Sequence, residues 1–318
     1  MKHKGTILVL LAGTAWGLSG VAGQYLLSQN INVNLLTALR LLISGLFLLG
    51  LAIATQKERL KAILQQKKAV LQLLLFSFCG LLLNQYAYLN AIKFTNAGTA
   101  TVLQYLNPVL ILAFVSLAEK RYPSIAESSS IFLALVGTIV IATHGNLSEL
   151  AVTPQGLAWG LISAVAAALY VLLPVRLIQD WGSLVVIGLA MVISGSTFTL
   201  LTRAWHYKLA LTLSNSLALF GLVVIGTIVA YTFFLVGTSM VGPIKATLLA
   251  AIEPIASVFL AFILLGQEFF YQDLLGMLLI LIAVLLISIR DIYLLRREKR
   301  FATKDEMSHR PNSSKMNT

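Results

Sequence analysis

The stretch TNAGTATVLQYLNPVLILAFVSL, residues 95–117, has a counterpart later in the chain. When Pro108 and Pro254 are set in register, it largely overlaps SMVGPIKATLLAAIEPIASVFLAF, residues 239–262. Few residues are identical, but both segments are long apolar runs that carry a polar residue and a proline near the middle. Such self-similarity at a distance predicts an internal repeat.

Flanking segments extend the repeat in the same order along the chain. Upstream, GTILVLLAGTAWGLS (5–19) can be laid over GLAWGLISAVAAALY (156–170). Downstream, ALVGTIVIA (134–142) and GMLLILIAVLLI (276–287) both close their halves as plain apolar helices. We therefore divide the chain into a first repeat, a second repeat and a basic cytoplasmic tail, at residues 1–147, 148–290 and 291–318.

Composition places the repeat in a membrane. The chain has 318 residues, of which 58% are hydrophobic and 11% are charged, and its mean hydropathy is +0.88. These values exclude a soluble globular enzyme and a disordered chain, because too little polar surface is present to face water everywhere. The single cysteine, Cys79, excludes an intrachain disulfide and a cysteine-based metal cage.

Apolar runs of about 20 residues mark bilayer-spanning helices. Cutting these runs at charges, prolines, glycines and asparagines gives ten predicted spans. They are Gly5–Leu27, Asn34–Ala54, Val70–Ala91, Ala97–Ala118, Ser124–Thr143, Gln155–Val175, Ser183–Thr202, Ser216–Gly237, Pro243–Leu265 and Phe270–Ile289. The sequence thus predicts an all-α membrane protein with ten transmembrane helices in two five-helix repeats. Because five is odd, the second repeat enters the membrane from the opposite side, which makes the repeats inverted.

The positive charges predict the orientation. With a cytoplasmic N-terminus, 18 of the 23 Lys and Arg residues fall in segments on the cytoplasmic side, and three fall outside. This bias follows the positive-inside rule and predicts a multi-pass protein of the cell membrane with both termini in the cytoplasm. The net charge of +11 is therefore a topology signal and gives no support to nucleic-acid binding.

Three ionisable residues lie well inside the membrane in this prediction, where charges are costly and mark candidate functional sites. Glu253 lies near the middle of the ninth span and could accept a proton, bind a cationic group or pair structurally with a buried cation. Lys245 lies two turns before it and either pairs with a substrate carboxylate or extends to the cytoplasmic interface. Arg40, in the second span, either clamps a carboxylate or anchors a helix end or Glu253.

Polar and aromatic side chains in the spans are further candidates. Tyr88, Gln104 and Asn107 are predicted to line a solute cavity, although hydrogen bonds between helices would explain such residues equally well. Trp16 and Tyr170 occupy roughly equivalent repeat positions and could gate or line the cavity, although packing or lipid-facing roles would also explain them. In addition, Pro108 and Pro254 are predicted to break their helices, since each lacks a backbone donor.

A family resemblance rests on motifs in a fixed order. The motifs are WGLSG in the first span, Arg40 early in the second, LQYLNP in the fourth, SAVAAALYV in the sixth, and IEP followed by LLGQE in the ninth. Together they resemble an EamA-like transporter of the drug/metabolite transporter superfamily. The resemblance implies a small-solute permease with a central cavity between its halves. It also implies export of amino acids or other metabolites, although some members import them.

Functional hypotheses follow from these features. The leading one is a secondary transporter that exports small polar metabolites by alternating access. Whether transport is coupled to protons is left open. No phosphate-binding loop, catalytic motif or metal-ligand spacing occurs in the sequence, so we expect no cofactor and no bound metal. A membrane-embedded enzyme, a lipid-handling protein and a channel are the alternatives. The expected partners are a small-molecule substrate and membrane lipid, with a homodimer left open.

Overall fold

The computed structural model describes residues 2–118, 120, 122–146, 151–242, 246, 249–286 and 289. Within these residues the chain is helical and contains no strand. Eight helices are long and apolar enough to cross a membrane. They are α1 (Lys2–Ser28), α2 (Val33–Gln65), α3 (Lys67–Phe94), α4 (Ala97–Gln104 and Asn107–Ala118), α5 (Ile125–Thr143), α6 (Pro154–Trp181), α7 (Ser183–Thr202) and α8 (Leu213–Val241).

Two shorter apolar helices complete the described chain, α9 (Ile252–Leu265) and α10 (Tyr271–Leu286). Each of the ten predicted spans overlaps one of these ten helices. Since α9 and α10 are shorter than a full span within the described residues, the count of ten membrane crossings stays a prediction. Lys245 and the tail from 290 onward lie outside the described residues.

Both proline-bearing helices are interrupted at the same place relative to the proline. Tyr105 has φ −68° and ψ 1°, and Ala251 has φ −61° and ψ −2°. Each lies three residues before its proline, Pro108 or Pro254. The predicted helix breaks are therefore present, and their shared geometry matches the repeat register found in the sequence.

The two prolines also leave backbone carbonyls without a helical donor, because a proline at position i cannot donate to the carbonyl at i−4. For Pro108 the freed carbonyl belongs to Gln104, and it accepts a hydrogen bond from Asn107 Nδ2 at 2.9 Å. For Pro254 it belongs to Ala250, and it accepts one from Tyr105 Oη at 3.0 Å. Side chains thus replace the missing backbone donors at both breaks.

A second local feature occurs in both halves. The segment Phe76–Leu82 of α3 and the segment Gly221–Val229 of α8 are π-helical. These are the third helices of the two predicted repeats. A π-helical segment widens the turn and changes which side chains face a neighbouring helix, and such segments occur often at functional sites.

Helix packing follows a pattern that is unchanged when the two halves are exchanged. Helix α1 packs on α8 and α9, and α6 packs correspondingly on α3 and α4. The pairs α2–α7 and α4–α9 connect equivalent helices, and α5 meets α10 where Gly137 and Gly276 allow close backbone approach. One large apolar cluster, containing Leu41, Phe76 and Met191, fills the space between α2, α3 and α7.

The bundle has two ends, which we name by residues. The Ser183 end holds the connections α2–α3 and α6–α7, at Gln66 and Gly182. The Gln24 end holds the connections α1–α2, α3–α4 and α7–α8. The line from the Ser183 end to the Gln24 end is the long axis of the bundle.

Candidate functional site

A polar cavity of about 180 Å³ lies in the middle of the bundle, next to the two helix breaks. Its lining consists of Trp16, Arg40, Asn84, Gln85, Tyr88, Gln104, Tyr105, Asn107, Ala167, Tyr170, Val171, Tyr231 and Glu253. Seven of the eight candidate residues named from the sequence are therefore brought together at one site. The eighth, Lys245, lies outside the described residues.

Glu253 stands in the first turn of α9, directly after the break at Ala251. Its Oε2 atom lies 3.0 Å from the hydroxyl of Tyr105, which is close enough to accept a hydrogen bond. The same hydroxyl lies 3.0 Å from the freed carbonyl of Ala250, so its single proton can serve either acceptor. The break thus aims both a carboxyl group and a backbone carbonyl at the cavity.

Arg40 supplies the cationic group of the cavity, and only 5% of it is exposed. Its Nε donates a hydrogen bond to Thr227 Oγ1 at 3.0 Å. Its Nη1 is buried and has no hydrogen-bond partner among the described residues. Although Arg40 and Glu253 line the same cavity, no ion pair joins these two described side chains.

Tyr88 is held at the crossing of α4 and α9. Its hydroxyl lies 2.7 Å from Thr101 Oγ1, and Thr101 Oγ1 lies 3.3 Å from Ser257 Oγ. The backbone of Gly20 allows this approach, because a Cβ at that position would lie only 2.5 Å from the Tyr88 hydroxyl. Tyr88 therefore lines the cavity and also contributes to contacts between helices, the two roles considered for it.

Gln104 and Asn107 form a second polar group on α4. Gln104 Nε2 donates to Asn84 Oδ1 at 2.9 Å, which joins α4 to α3. Asn107 Nδ2 donates a hydrogen bond to the backbone carbonyl of Gln104. Both residues line the cavity, and both are also partly committed to holding the broken helix in shape.

Aromatic side chains enclose the rest of the cavity. The hydroxyls of Tyr170 and Tyr231 lie 2.7 Å apart, and the rings of Trp16 and Tyr231 are 5.6 Å apart in an edge-to-face arrangement. Neither Trp16 nor Tyr170 is placed solely against lipid, since both line the cavity. Trp16 also packs against Phe234.

Sequence reasoning did not select several of the site residues, among them Tyr105, Thr227 and Tyr231. Tyr105 is part of the LQYLNP motif, and its neighbour Gln104 was selected instead. Tyr231 could have been found from the repeat, because the register that aligns the prolines places it at the position of Gln85, which also lines the cavity. Thr227 gave no sequence signal, since it lies in an uncharged apolar run.

A larger cavity of about 930 Å³ continues from the polar cavity. The two share Trp16, Tyr105, Asn107, Tyr170, Val171 and Tyr231. The larger cavity reaches Ser183, at the first turn of α7, and Ser239, in the last turn of α8. A path therefore leads from the polar cavity to the Ser183 end.

Hydrogen bonds join the helices at the opposite end. Gln24 Nε2 donates to Gln267 Oε1 at 2.9 Å, and Gln24 Oε1 accepts from the backbone N–H of Ala97 at 2.7 Å. The Gln24 side chain thereby connects α1 to the start of α4 and to the segment after α9. The contact between Gln24 and Gln267 joins the two halves at the Gln24 end.

Comparison with known proteins gives the same assignment as the sequence motifs. The model of the EamA-like transporter family matches residues 3–143 and 154–289. The chain is 40% identical, over 288 residues, to the uncharacterized inner membrane transporter YicL of Salmonella typhimurium (strain LT2), covering 90% of this chain and 96% of the relative. A solved crystal structure that is 19% identical has the same fold, with a TM-score of 0.59 over 92% of this chain and 99% of that one.

The family resemblance predicted from the ordered motifs is thus confirmed. The two matched regions together cover most of the chain, and the similarity to YicL covers nearly the whole length of both proteins. Membership also supports a transporter and not an enzyme. The chain therefore belongs to the EamA-like transporter family and is a multi-pass membrane transporter.

Proposed function

We propose that this transporter is a secondary exporter of small polar metabolites, such as amino acids, and that it works by alternating access with coupling to protons. The carrying observation is the polar cavity at the two helix breaks, where Glu253 meets Tyr105 beside a path to one end of the bundle. A carboxyl group at membrane depth is a common element of proton relays. A lining of a few polar groups among aromatic side chains suits a small solute.

The proposal includes ten membrane-spanning helices in two inverted repeats, residues 1–147 and 148–290. Support comes from the equivalent breaks before Pro108 and Pro254, the paired π-helical segments and the exchange-symmetric packing. The family model also matches the chain in two regions, 3–143 and 154–289. Inverted repeats suit alternating access, because each half can take the role of the other about a midplane site.

We further propose that the Ser183 end faces the cytoplasm, together with both termini and the basic tail 291–318. The support is the charge bias, since 18 of the 23 Lys and Arg residues then fall in cytoplasmic segments. The name of the relative YicL, an inner membrane transporter, is in keeping with the cytoplasmic membrane. In this orientation the structure is an inward-facing state.

The proposed partners are the transported small molecule and membrane lipid, without nucleic acid. The glycine pairs Gly13–Gly17 and Gly156–Gly160, which are suited to close helix approach, face helices of the same chain. Contacts within the chain therefore explain these glycine pairs without a homodimer. A homodimer is a separate proposal, and the molecular mass of the purified protein tests it.

The purified full chain in sealed vesicles provides the direct test. We expect at least one small polar solute from a panel of amino acids to exchange faster than in protein-free vesicles, and an imposed pH gradient to accelerate this flux. Cells that express the protein should release the same solute into the medium faster than cells without it. Absence of exchange for every solute of the panel, with and without a pH gradient, would count against the proposed function.

Alternating access predicts that the contacts of Gln24 must open during transport. In a Cys79→Ser background, we expect a short thiol cross-linker between Gln24→Cys and Gln267→Cys to stop transport and reduction to restore it. The reason is that the two side chains meet within hydrogen-bond distance in the proposed inward-facing state. The two single-cysteine variants are the controls. Transport by the cross-linked protein at the rate of the protein without cross-linker would contradict the prediction that the contact between Gln24 and Gln267 must open.

A further inference from the structure

The Arg40 guanidinium has donors that the protein does not use. Of its five N–H donors, the described residues engage only Nε, which donates to Thr227 Oγ1 at 3.0 Å. Nη1 is buried without a partner, and the whole residue is only 5% exposed. A buried charged donor without an acceptor is costly. The Nη end of the side chain is therefore suited to an acceptor on a solute that binds and is released.

Glu253 does not supply that acceptor. It lines the same cavity, but the described side chains of Arg40 and Glu253 form no ion pair, and Glu253 Oε2 is already in contact with Tyr105. The cavity therefore keeps its buried cation apart from its carboxyl group. A small solute between them could satisfy Arg40 with an anionic group of its own.

Thr227 fixes the orientation of Arg40. Its Oγ1 donates to the Leu222 carbonyl, five residues earlier, at 3.1 Å, and accepts from Arg40 Nε. Both Leu222 and Thr227 lie in the π-helical segment Gly221–Val229, whose wider turn brings residues five apart into contact. Because Thr227 accepts from Nε, this contact leaves both Nη atoms unengaged, and Arg40 lines the polar cavity.

Charge narrows the class of ligand. Arg40 is the cationic side chain among the described residues that line the polar cavity, and Glu253 lines the same cavity. One guanidinium balances the single charge of a carboxylate, whereas a phosphate ester carries about 1.5 to 2 negative charges at pH 7. The two oxygens of a carboxylate also match the planar donor face of a guanidinium. The charge and the free donors point to the same chemical group.

We propose that Arg40 binds a carboxylate of the transported solute and that Thr227 is the residue that positions Arg40 for this contact. The solutes of this transporter are then small molecules with a free carboxylate. The inference rests on the proposed function for its transport context, but the binding itself can be measured without any flux.

The test uses the detergent-solubilised full chain and its thermal melting as a measure of binding. The probes are the common amino acids, their amides, simple monocarboxylates and inorganic phosphate. We expect one or more carboxylates to raise the melting temperature while the matched amides, in which the carboxylate is blocked, do not. Arg40→Gln should weaken that binding by about thirtyfold or more, as expected for removal of one partner of a buried charged contact.

Thr227 variants separate positioning from a merely structural role. Thr227→Val keeps the shape but removes the acceptor for Nε, so we expect weaker carboxylate binding, whereas Thr227→Ser should restore it. Size-exclusion profiles show whether each variant is folded. Four results would each overturn the proposal. They are equal binding of amides and carboxylates, binding of phosphate alone, no carboxylate binding, and unchanged carboxylate binding by folded Arg40→Gln. If carboxylates bind as expected but vesicles show no flux, the transport proposal fails and the binding proposal stands.

Discussion

Glu253→Gln is expected to remove the acceleration of transport by a pH gradient. Glutamine has nearly the shape of glutamate and can still accept the hydrogen bond of Tyr105, but it cannot release or take up a proton. We expect the gradient-driven part of the flux to fall by at least about tenfold, equivalent to about 1.4 kcal/mol in the coupled step. Solute exchange without a gradient should decrease less, since the cavity keeps its other lining residues.

The matched control is Glu58→Gln, because Glu58 is exposed on α2 and the chemical change is identical. This control should transport at the rate of the unaltered protein with and without a gradient. Vesicle flux measured at several imposed gradients gives both components. Full gradient-driven transport by Glu253→Gln would remove Glu253 from the coupling mechanism.

Gly17→Val is expected to destabilise the contact between α1 and α9. A Cβ at Gly17 would lie 2.8 Å from the backbone nitrogen of Ser257 and 2.9 Å from the Cβ of Ala256. Because a backbone atom cannot rotate aside, the helices must separate, and overpacking of this kind costs about 1–3 kcal/mol. We expect the melting temperature in detergent to fall by about 2–5 °C. Transport should fall as well, since α9 carries Glu253.

Gly50→Val serves as the control for this prediction. Gly50 lies within a helix, as Gly17 does, but a Cβ at Gly50 meets nothing within 4 Å. Its melting temperature should stay close to that of the unaltered protein, because substitutions that make no new contact change stability by about 0.5 kcal/mol or less. An equal decrease in both variants would show that the α1–α9 contact is not the cause.

The sequence predicted the helices well because their signal is local. Apolar runs separated by polar breaks are read from neighbouring residues alone, and each predicted span overlaps a helix. The repeat stays a prediction from the sequence, which the shared geometry of the breaks before Pro108 and Pro254 supports. The predicted end of the second span at Ala54 lies close to a kink at Gln56 (φ −139°, ψ 34°), and a charged helical segment continues beyond this kink to Gln65.

Several side-chain roles could not be read from the sequence. Gln104 and Asn107 were expected either to line a cavity or to join helices. Gln104 does both, whereas Asn107 lines the cavity and donates its hydrogen bond within α4. Thr227 was not singled out at all, although it holds Arg40. Helices that are apolar on most faces give little periodicity from which to tell a cavity-facing residue from a lipid-facing one.

By itself, therefore, the sequence determined the helical membrane fold, the family and a set of residues in which the site would be found. Tertiary structure decided which of these residues meet. Tyr105 and Glu253 are 148 residues apart, and Arg40 and Thr227 are 187 residues apart. A span depends only on the apolarity of its own residues, whereas a hydrogen bond between spans depends on the rotation, depth and breaks of two helices at once.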